Sequence, residues 1–341
     1  MNIFAFSTLF NGNEMIQGLI NNNIKITGVV GFKETNRQQN ISGFESPEEL
    51  CINNNIQFIP IQSYGLNHAN DIKTLKELEI DIGLILGWQR LIPKWLIKHF
   101  NISGIGIHGS SHGINQGRGR SPQNWALLYG YDKFNLSIFR LDDGIDSGPV
   151  IETRIVPLSL FDDIKTSHLK IGNTAVNMIS NLLVKNPSHF SKTKKQNANP
   201  RYFPKREPSD GMIDWNRSVL DVYNFIRALS RPYPGAYCQL QSTKLFIWKA
   251  RPFYQNLNNH RYIVPGTIIQ IFKNRDLLIA TIDHPVLIED YEISQPKINI
   301  FVGMVIPSSN FDDIIKEIVK RHRNKFPHLP LAKDFDKYLR D

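Results

Sequence analysis

The chain has 341 residues, 41% hydrophobic and 21% charged, with a formal net charge of +9. This length accommodates two domains of ordinary size, and the balance of residues is that of a water-soluble globular chain rather than a fibrous or disordered one. Cys51 and Cys238 are its two cysteines, which excludes a disulfide framework and a cysteine metal cluster, while the positive charge favours anionic partners or simply serves solubility.

Residues 2–7 (NIFAFS) and 24–32 (IKITGVVGF) read as buried strands around an amphipathic helix over 13–22. SPEELCINNN offers Ser46 as a helix cap with Glu49 three residues on, a capping box. The strand IQFIPI, a helix over 68–79 and the strand IDIGLILG follow, and this alternation predicts a parallel α/β sheet. A strand over 104–108 carries His108 at or just beyond its C-terminal end, where open α/β sheets place ligands. A short helix in SPQNWALLYG, with Pro122 near its first turn, precedes FNLSIFRLDDGIDSGPVIETRIVPL, read as two strands joined by a tight Asp/Gly turn. Residues 161–185 form a helix with Leu169, Ala175, Val176, Ile179 and Leu182 on one face. The stretch 185–211 is basic, polar and proline-containing, the composition of a linker.

Beyond it come a helix over 217–229 and the short strands AYCQLQ, KLFIWKARPF, GTIIQI, DLLIAT and VLIEDYE, spaced as in a small barrel or sandwich. A last helix starts at Asn310, with Phe311, Ile314, Ile315, Ile318 and Val319 on one face. The expected organisation is a catalytic domain over 1–186, a linker over 187–210, a barrel-like domain over 211–305 and a helical extension over 306–341. The N-terminus lacks a basic leader and the apolar runs are too short to span a bilayer, so a cytoplasmic location and no membrane partner are expected.

Gly104, Gly106 and Gly109 fit the G-x-G-x-x-G spacing of a dinucleotide turn. Such a turn belongs after the first strand, with a helix opening directly behind it. Here the first turn is STLFNGNE, and Trp125 to Leu128 stand where an acid should meet the ribose, so a dehydrogenase is set aside. His108 and Asp146 are the more informative residues. If both reach one edge of the sheet, the carboxylate fixes the imidazole tautomer and the pair does general acid–base work. The same residues also fit a strand-end histidine and turn-forming aspartates, Asp142 and Asp143 included.

The run from GWQRLIPKWL through GIGIHGS, GRGRSPQNWALLYG and LDDGIDSG resembles the folate-dependent formyltransferase family, and PKREPSDGMIDWNRSVLDVYNFIRALSRPYPGAY is similar to the opening of that family's C-terminal barrel. The resemblance covers roughly 1–305. It implies a Rossmann-like parallel-sheet domain followed by a small OB-like β-barrel, and transfer of a formyl group from N10-formyltetrahydrofolate, as co-substrate, to a primary amine. By the same resemblance His108 is the catalytic histidine and Asp146 its carboxylate partner. Trp88, Leu91, Ile92 and Pro93 form the pterin wall, Asp142 joins the cofactor contacts, and Arg118 and Arg120 meet a phosphate or the folate glutamate.

Two departures stand out. Gly106 occupies the place of the family's catalytic asparagine, a donor whose loss elsewhere costs about 2.7–4 kcal/mol. Asn115, Asn124, a water in the space above Gly106 and protonated His108 are the candidates to replace it. The loop after His108 is also longer, and its SSHGINQ adds His112 in an H-x3-H spacing; without a third ligand, no metal is expected.

The resemblance leaves the amine open. The segment FKETNRQQNISGFESPEEL is poor in basic residues where the tRNA-directed enzymes carry a basic insertion, so the favoured acceptor is a nucleotide-linked amino sugar destined for surface glycan. Methionyl-tRNA is the alternative, gripped by the basic linker and last helix; otherwise nucleic acid is not an expected partner. A folate- or nucleotide-sugar-binding protein of weakened activity is a third reading, and a formyl-folate hydrolase a weaker one. The Phe311–Val319 face suits either a homodimer or packing on its own domain.

Overall fold

The computed structural model describes the chain apart from residues 36–40, 42, 185–189, 191, 242, 255–262, 295–297 and 340–341. Part of the segment expected to bear on tRNA binding, and Lys185 at the head of the basic stretch, lie outside the described residues. The chain forms two compact units: Met1–Arg118, Phe134–Val156 and His168–Pro200 in the first, and Gly119–Lys133, Pro157–Ser167 and Arg201–Asp341 in the second.

The first unit is built on β1 (Ile3–Phe6), β2 (Gly28–Gly31), β3 (Gln57–Pro60), β4 (Ile82–Ile85) and β5 (Ser103–Ser110) and, beyond the two-residue β6 (Arg118–Gly119), on β7 (Lys133–Arg140) and β8 (Val150–Pro157). The sheet order is β3-β2-β1-β4-β5-β7-β8. The first five strands run parallel, whereas β7 is antiparallel to β5, so the sheet is mixed. A parallel return would need a crossover helix over the sheet. The helix in that connection, α5 (Pro122–Leu128), packs within the second unit instead.

Four more helices precede it: α1 (Phe10–Asn21), α2 (Glu48–Asn53), α3 (Ala69–Lys76) and α4 (Lys94–Ile97). Phe4, Phe6, Phe32, Ile61, Leu75 and Phe100 anchor one buried cluster. Met15, Ile16 and Leu19 of α1 are buried, as are Ala175, Met178 and Ile179 of α6 (Ile164–Val184), each such side chain contributing about 1.5–3 kcal/mol when large and fully buried. Gly18 brings α1 against α6, since a Cβ there would lie 2.9 Å from Val176 Cγ2. Leu169, expected on the buried face, is 46% exposed at the edge of a groove lined also by Phe10 and Glu14.

Three local expectations change. The Ser46 capping box does not form: the hydroxyl accepts from Glu48 N at 3.2 Å and donates to Phe32 O at 2.7 Å, and Pro47 takes the cap position. β5 continues to Ser110, because its end pairs with β7, so His108 lies inside the strand. The link between β7 and β8 is the open loop 141–149 rather than a tight turn.

The second unit holds β9 (Tyr202–Phe203), β10 (Ala236–Leu240), β11 (Thr243–Pro252), β12 (Ile268–Ile271), β13 (Leu277–Ile279) and β14 (Val286–Ile293). The last five form an antiparallel sheet in the order β10-β11-β14-β13-β12. Ser218 caps α7 (Val219–Leu229) by accepting from Asp221 N, and Asn310 caps α8 (Phe311–Lys325) by accepting from Asp313 N. Trp125 of α5 is fully buried against Phe203 and Phe335 and donates its indole N–H to Pro204 O at 3.0 Å. No helix among the described residues is long and apolar enough to cross a membrane.

Candidate active site

The glycines of GIGIHG make a trough. A Cβ on Gly83 would meet Phe100 at 2.4 Å, one on Gly104 would meet Leu141 at 2.6 Å, and one on Gly106 would meet Phe139 at 2.7 Å and Leu141 at 3.0 Å. Gly83 and Gly104 are register partners across β4 and β5, and Gly106 faces Phe139 across β7. Small residues are therefore required so that three large side chains can lie against the sheet, which accounts for the glycine spacing without a phosphate. The expected water in the space above Gly106 is corrected by the same geometry, because Phe139 and Leu141 fill that space.

Two residues beyond Gly106 on the same strand face stands His108, opposite Ser137. Its Nδ1 lies 3.4 Å from Asp146 Oδ2, and the two side chains are 10% and 23% exposed. Its Nε2 donates to Gly117 O at 2.8 Å. Both ring nitrogens thus face oxygen acceptors. A neutral imidazole carries one N–H and satisfies one of them, whereas the imidazolium satisfies both.

Asp146 sits at φ +48, the left-handed region that is uncommon for a residue with a Cβ. The loop that holds it is closed at its neck, where Arg140 N donates to Pro149 O at 3.0 Å and Leu141 N to Gly104 O at 2.8 Å. Asp142 has the role of a turn former: its Oδ1 accepts from Gly144 N at 3.1 Å and Ser147 Oγ at 2.6 Å. Asp143 pairs with Lys94 Nζ at 2.5 Å, which holds its carboxyl below the usual range, on the exposed side of the loop.

The loop carbonyls are held by a residue the sequence reading missed. Gln196 donates through Nε2 to Asp146 O and to Gly148 O, both at 2.8 Å. Its Oε1 accepts from Arg118 Nε at 3.2 Å and Arg118 Nη2 at 2.8 Å. Arg118 is 5% exposed and also reaches Asn115 Oδ1 at 3.3 Å. The expectation that Arg118 meets a phosphate is thereby corrected: its guanidinium is buried and engaged with neutral side-chain oxygens. Arg120 lies in the second unit, its backbone N–H on Phe203 O at 3.2 Å and its charge beside the phenol of Tyr233, whose pKa burial pushes up to about 12. Nothing in the run KTKKQNAN marks Gln196, whose partners lie far away in the chain.

The remaining candidates divide similarly. Asn124 is buried in the second unit and donates to Ala228 O at 2.6 Å. Asn115 has its oxygen on Arg118 and reaches Asn199 O at 3.5 Å. In the expected pterin wall, Trp88 packs edge-on against Phe6 at 6.1 Å and Tyr64 at 4.9 Å, and Ile92 is 7% exposed within the core, so both serve packing. Pro93 caps α4, while Leu91 is 57% exposed. The Trp88 indole N–H is buried and, among the described residues, has no hydrogen-bond partner. His112 N donates to Ser110 Oγ at 3.1 Å, and the described residues contain no group of three metal-ligating side chains.

Residues 1–183 match the family model described as formyl transferase, and residues 205–300 the one described as formyl transferase, C-terminal domain. Among solved structures, the chain is similar to HypX from Aquifex aeolicus in complex with tetrahydrofolic acid (17% identity, TM-score 0.57), covering 94% of this chain and 48% of that one. The chain thus spans about half the length of HypX. It is also similar to an N-formyltransferase from Helicobacter canadensis in complex with folinic acid and dTDP-3-aminofucose (16% identity, TM-score 0.58, 86% and 100% covered). Methionyl-tRNA formyltransferase from Clostridium thermocellum matches at 19% identity and TM-score 0.54, with 86% and 98% covered. At these identities the likeness is one of fold.

Proposed function

The chain belongs to the formyl transferase family, and from that premise we propose that it transfers a formyl group from N10-formyltetrahydrofolate to the primary amine of a nucleotide-linked amino sugar. The observation that carries the reading is the His108–Asp146 pair at 3.4 Å, on a strand face shaped by glycines. The amine nitrogen attacks the formyl carbon, giving a tetrahedral intermediate with charge on oxygen. The bond from that carbon to N10 then breaks, N10 takes a proton and the amine loses one, leaving a formamide and tetrahydrofolate. His108 relays the proton and Asp146 stabilises the charged ring, a contribution worth about 10²–10⁴-fold in rate. With the side of Gly106 filled and the amides of Asn115 and Asn124 engaged, stabilisation of the oxyanion is assigned to the charge that the His108 ring carries once it has taken the amine proton, acting through space rather than through a further N–H contact.

The sugar acceptor is favoured over methionyl-tRNA because three of the five lysines and arginines of α8 are matched by acids. Lys316 pairs with Asp313 at 3.3 Å, Lys320 with Glu317 at 4.0 Å and Arg321 with Asp210 at 2.6 Å. The likeness to an enzyme crystallised with dTDP-3-aminofucose points the same way. The test is tetrahydrofolate release from N10-formyltetrahydrofolate with a panel of nucleotide-linked amino sugars, and with methionyl-tRNA in parallel. Turnover with one sugar, abolished by His108→Ala and by Asp146→Ala, is the expected result. Turnover with the tRNA alone would replace the sugar by the runner-up acceptor, and folate binding without any turnover would leave a binding protein.

A further inference from the structure

Gln196 lies in the basic stretch that reads as a linker, yet the stretch is fastened to the site. Lys194 and Val150 exchange backbone hydrogen bonds of 2.8 Å in both directions, and Asn199 O accepts from Gln116 Nε2 at 3.0 Å. Between these anchors the amide of Gln196 is saturated: two N–H groups on two carbonyls, and both lone pairs on Arg118. The two carbonyls are those of Asp146 and Gly148, which bracket Ser147 in the loop where Asp146 holds a left-handed backbone. Arg118 follows Gly117, whose carbonyl accepts the Nε2–H of His108. One side chain therefore ties together the segment that touches Nδ1 of the imidazole and the segment that touches Nε2.

We propose that Gln196 is a positioning residue for His108 and Asp146, locking the loop conformation that aims the Asp146 carboxylate at the ring. The inference rests on the formyl-transfer reading above. A left-handed aspartate persists only where its surroundings over-determine it. Among the contacts that reach the loop from outside it, the two bonds from Gln196 are the ones that hold the carbonyls of Asp146 and Gly148 on either side of Ser147. Arg118, buried and polar, is in turn satisfied by Gln196 and Asn115, so the clamp has no obvious slack.

Two substitutions in the full chain separate positioning from bulk stability. Gln196→Glu is isosteric and keeps an oxygen for Arg118, but it turns an acceptor toward the two carbonyls. Gln196→Leu removes all four bonds. In both, kcat is expected to fall by about tenfold to a hundredfold with the KM for N10-formyltetrahydrofolate nearly unchanged, the signature of misplaced catalytic groups rather than lost binding. The Glu variant should melt close to the native temperature. A Glu variant with native kcat would overturn the proposal, reducing Gln196 to a partner for Arg118.

A second readout needs no turnover. The ring ¹H–¹⁵N signals of His108, assigned by their loss in His108→Ala, should move in both variants. Unchanged ring signals would overturn the positioning role even in a protein that formylates nothing. Moved signals in such a protein would keep the clamp and discard the formyl-transfer reading.

Discussion

At Gly106, Phe139 and Leu141 take the volume that an asparagine side chain would need. Gly106→Asn alone is expected to destabilise the fold by about 1–3 kcal/mol, the usual penalty for overpacking, and to leave kcat no higher. Pairing it with Phe139→Ala opens the site, and the double variant should then exceed the Phe139→Ala single in kcat by about tenfold or more, since one added oxyanion donor is worth 10²–10³ where its geometry is ideal. Chemical denaturation and steady-state kinetics on the four proteins decide it. A Gly106→Asn single that is both stable and faster would show that the trough is not packed as described. Asp146 gives a cleaner substitution. Asparagine tolerates the left-handed region as well as aspartate does, so Asp146→Asn should melt like the native chain and lose about 10²–10⁴ in kcat through charge alone. A parallel loss of melting temperature would mean the carboxylate is chiefly structural.

Elements set a different kind of limit, seen first where α6 meets α1. His168 stands edge-to-face with Phe10 at 6.0 Å, and burial pulls its pKa from 6.5 down to about 4. Because the folded value is the lower one, the unfolded chain takes up the proton first as pH falls. Stability from this group is therefore full above pH 6.5, declines between 6.5 and about 4, and levels off below. His168→Phe should flatten the fall in melting temperature across that window, and an unchanged slope would place the cause elsewhere. The helices and strands themselves were legible where one segment decides the outcome: the helices expected over 217–229 and from Asn310 both form, capped by Ser218 and Asn310. What escaped depends on distant partners. β5 is lengthened by pairing with β7, and the hydroxyl of Ser46 is drawn to Phe32 O. In the candidate site, the motifs pointed to His108 and Asp146, whose side chains lie 3.4 Å apart. Gln196 was not legible, because its four bonds go to residues 48 to 78 positions away and no local periodicity records them.

For the molecule as a whole, a net charge of +9 admits two acceptors that differ in how many phosphates they present. A nucleotide-linked sugar offers a diphosphate, whereas an acceptor stem offers a run of backbone charges. Binding that neutralises 6–10 phosphates loses about 10³–10⁵ in affinity between 50 and 200 mM salt, because each contact releases condensed counterions. Lys316, Lys320 and Arg321 already have carboxylate partners, and Lys337 meets Asp312 at 3.3 Å, so part of the charge around α8 is already countered. The exposed pairs among these add little stability, yet all of them cancel local potential. The kcat/KM for the amino-sugar acceptor should therefore fall by less than about tenfold over that salt range, in keeping with few released ions. Titrating salt in the same assay with methionyl-tRNA supplies the contrast. A shallow dependence for the sugar with no tRNA turnover supports few-phosphate recognition. A steep dependence accompanied by tRNA turnover would mean that the excess charge is organised for nucleic acid after all, despite the pairing along α8.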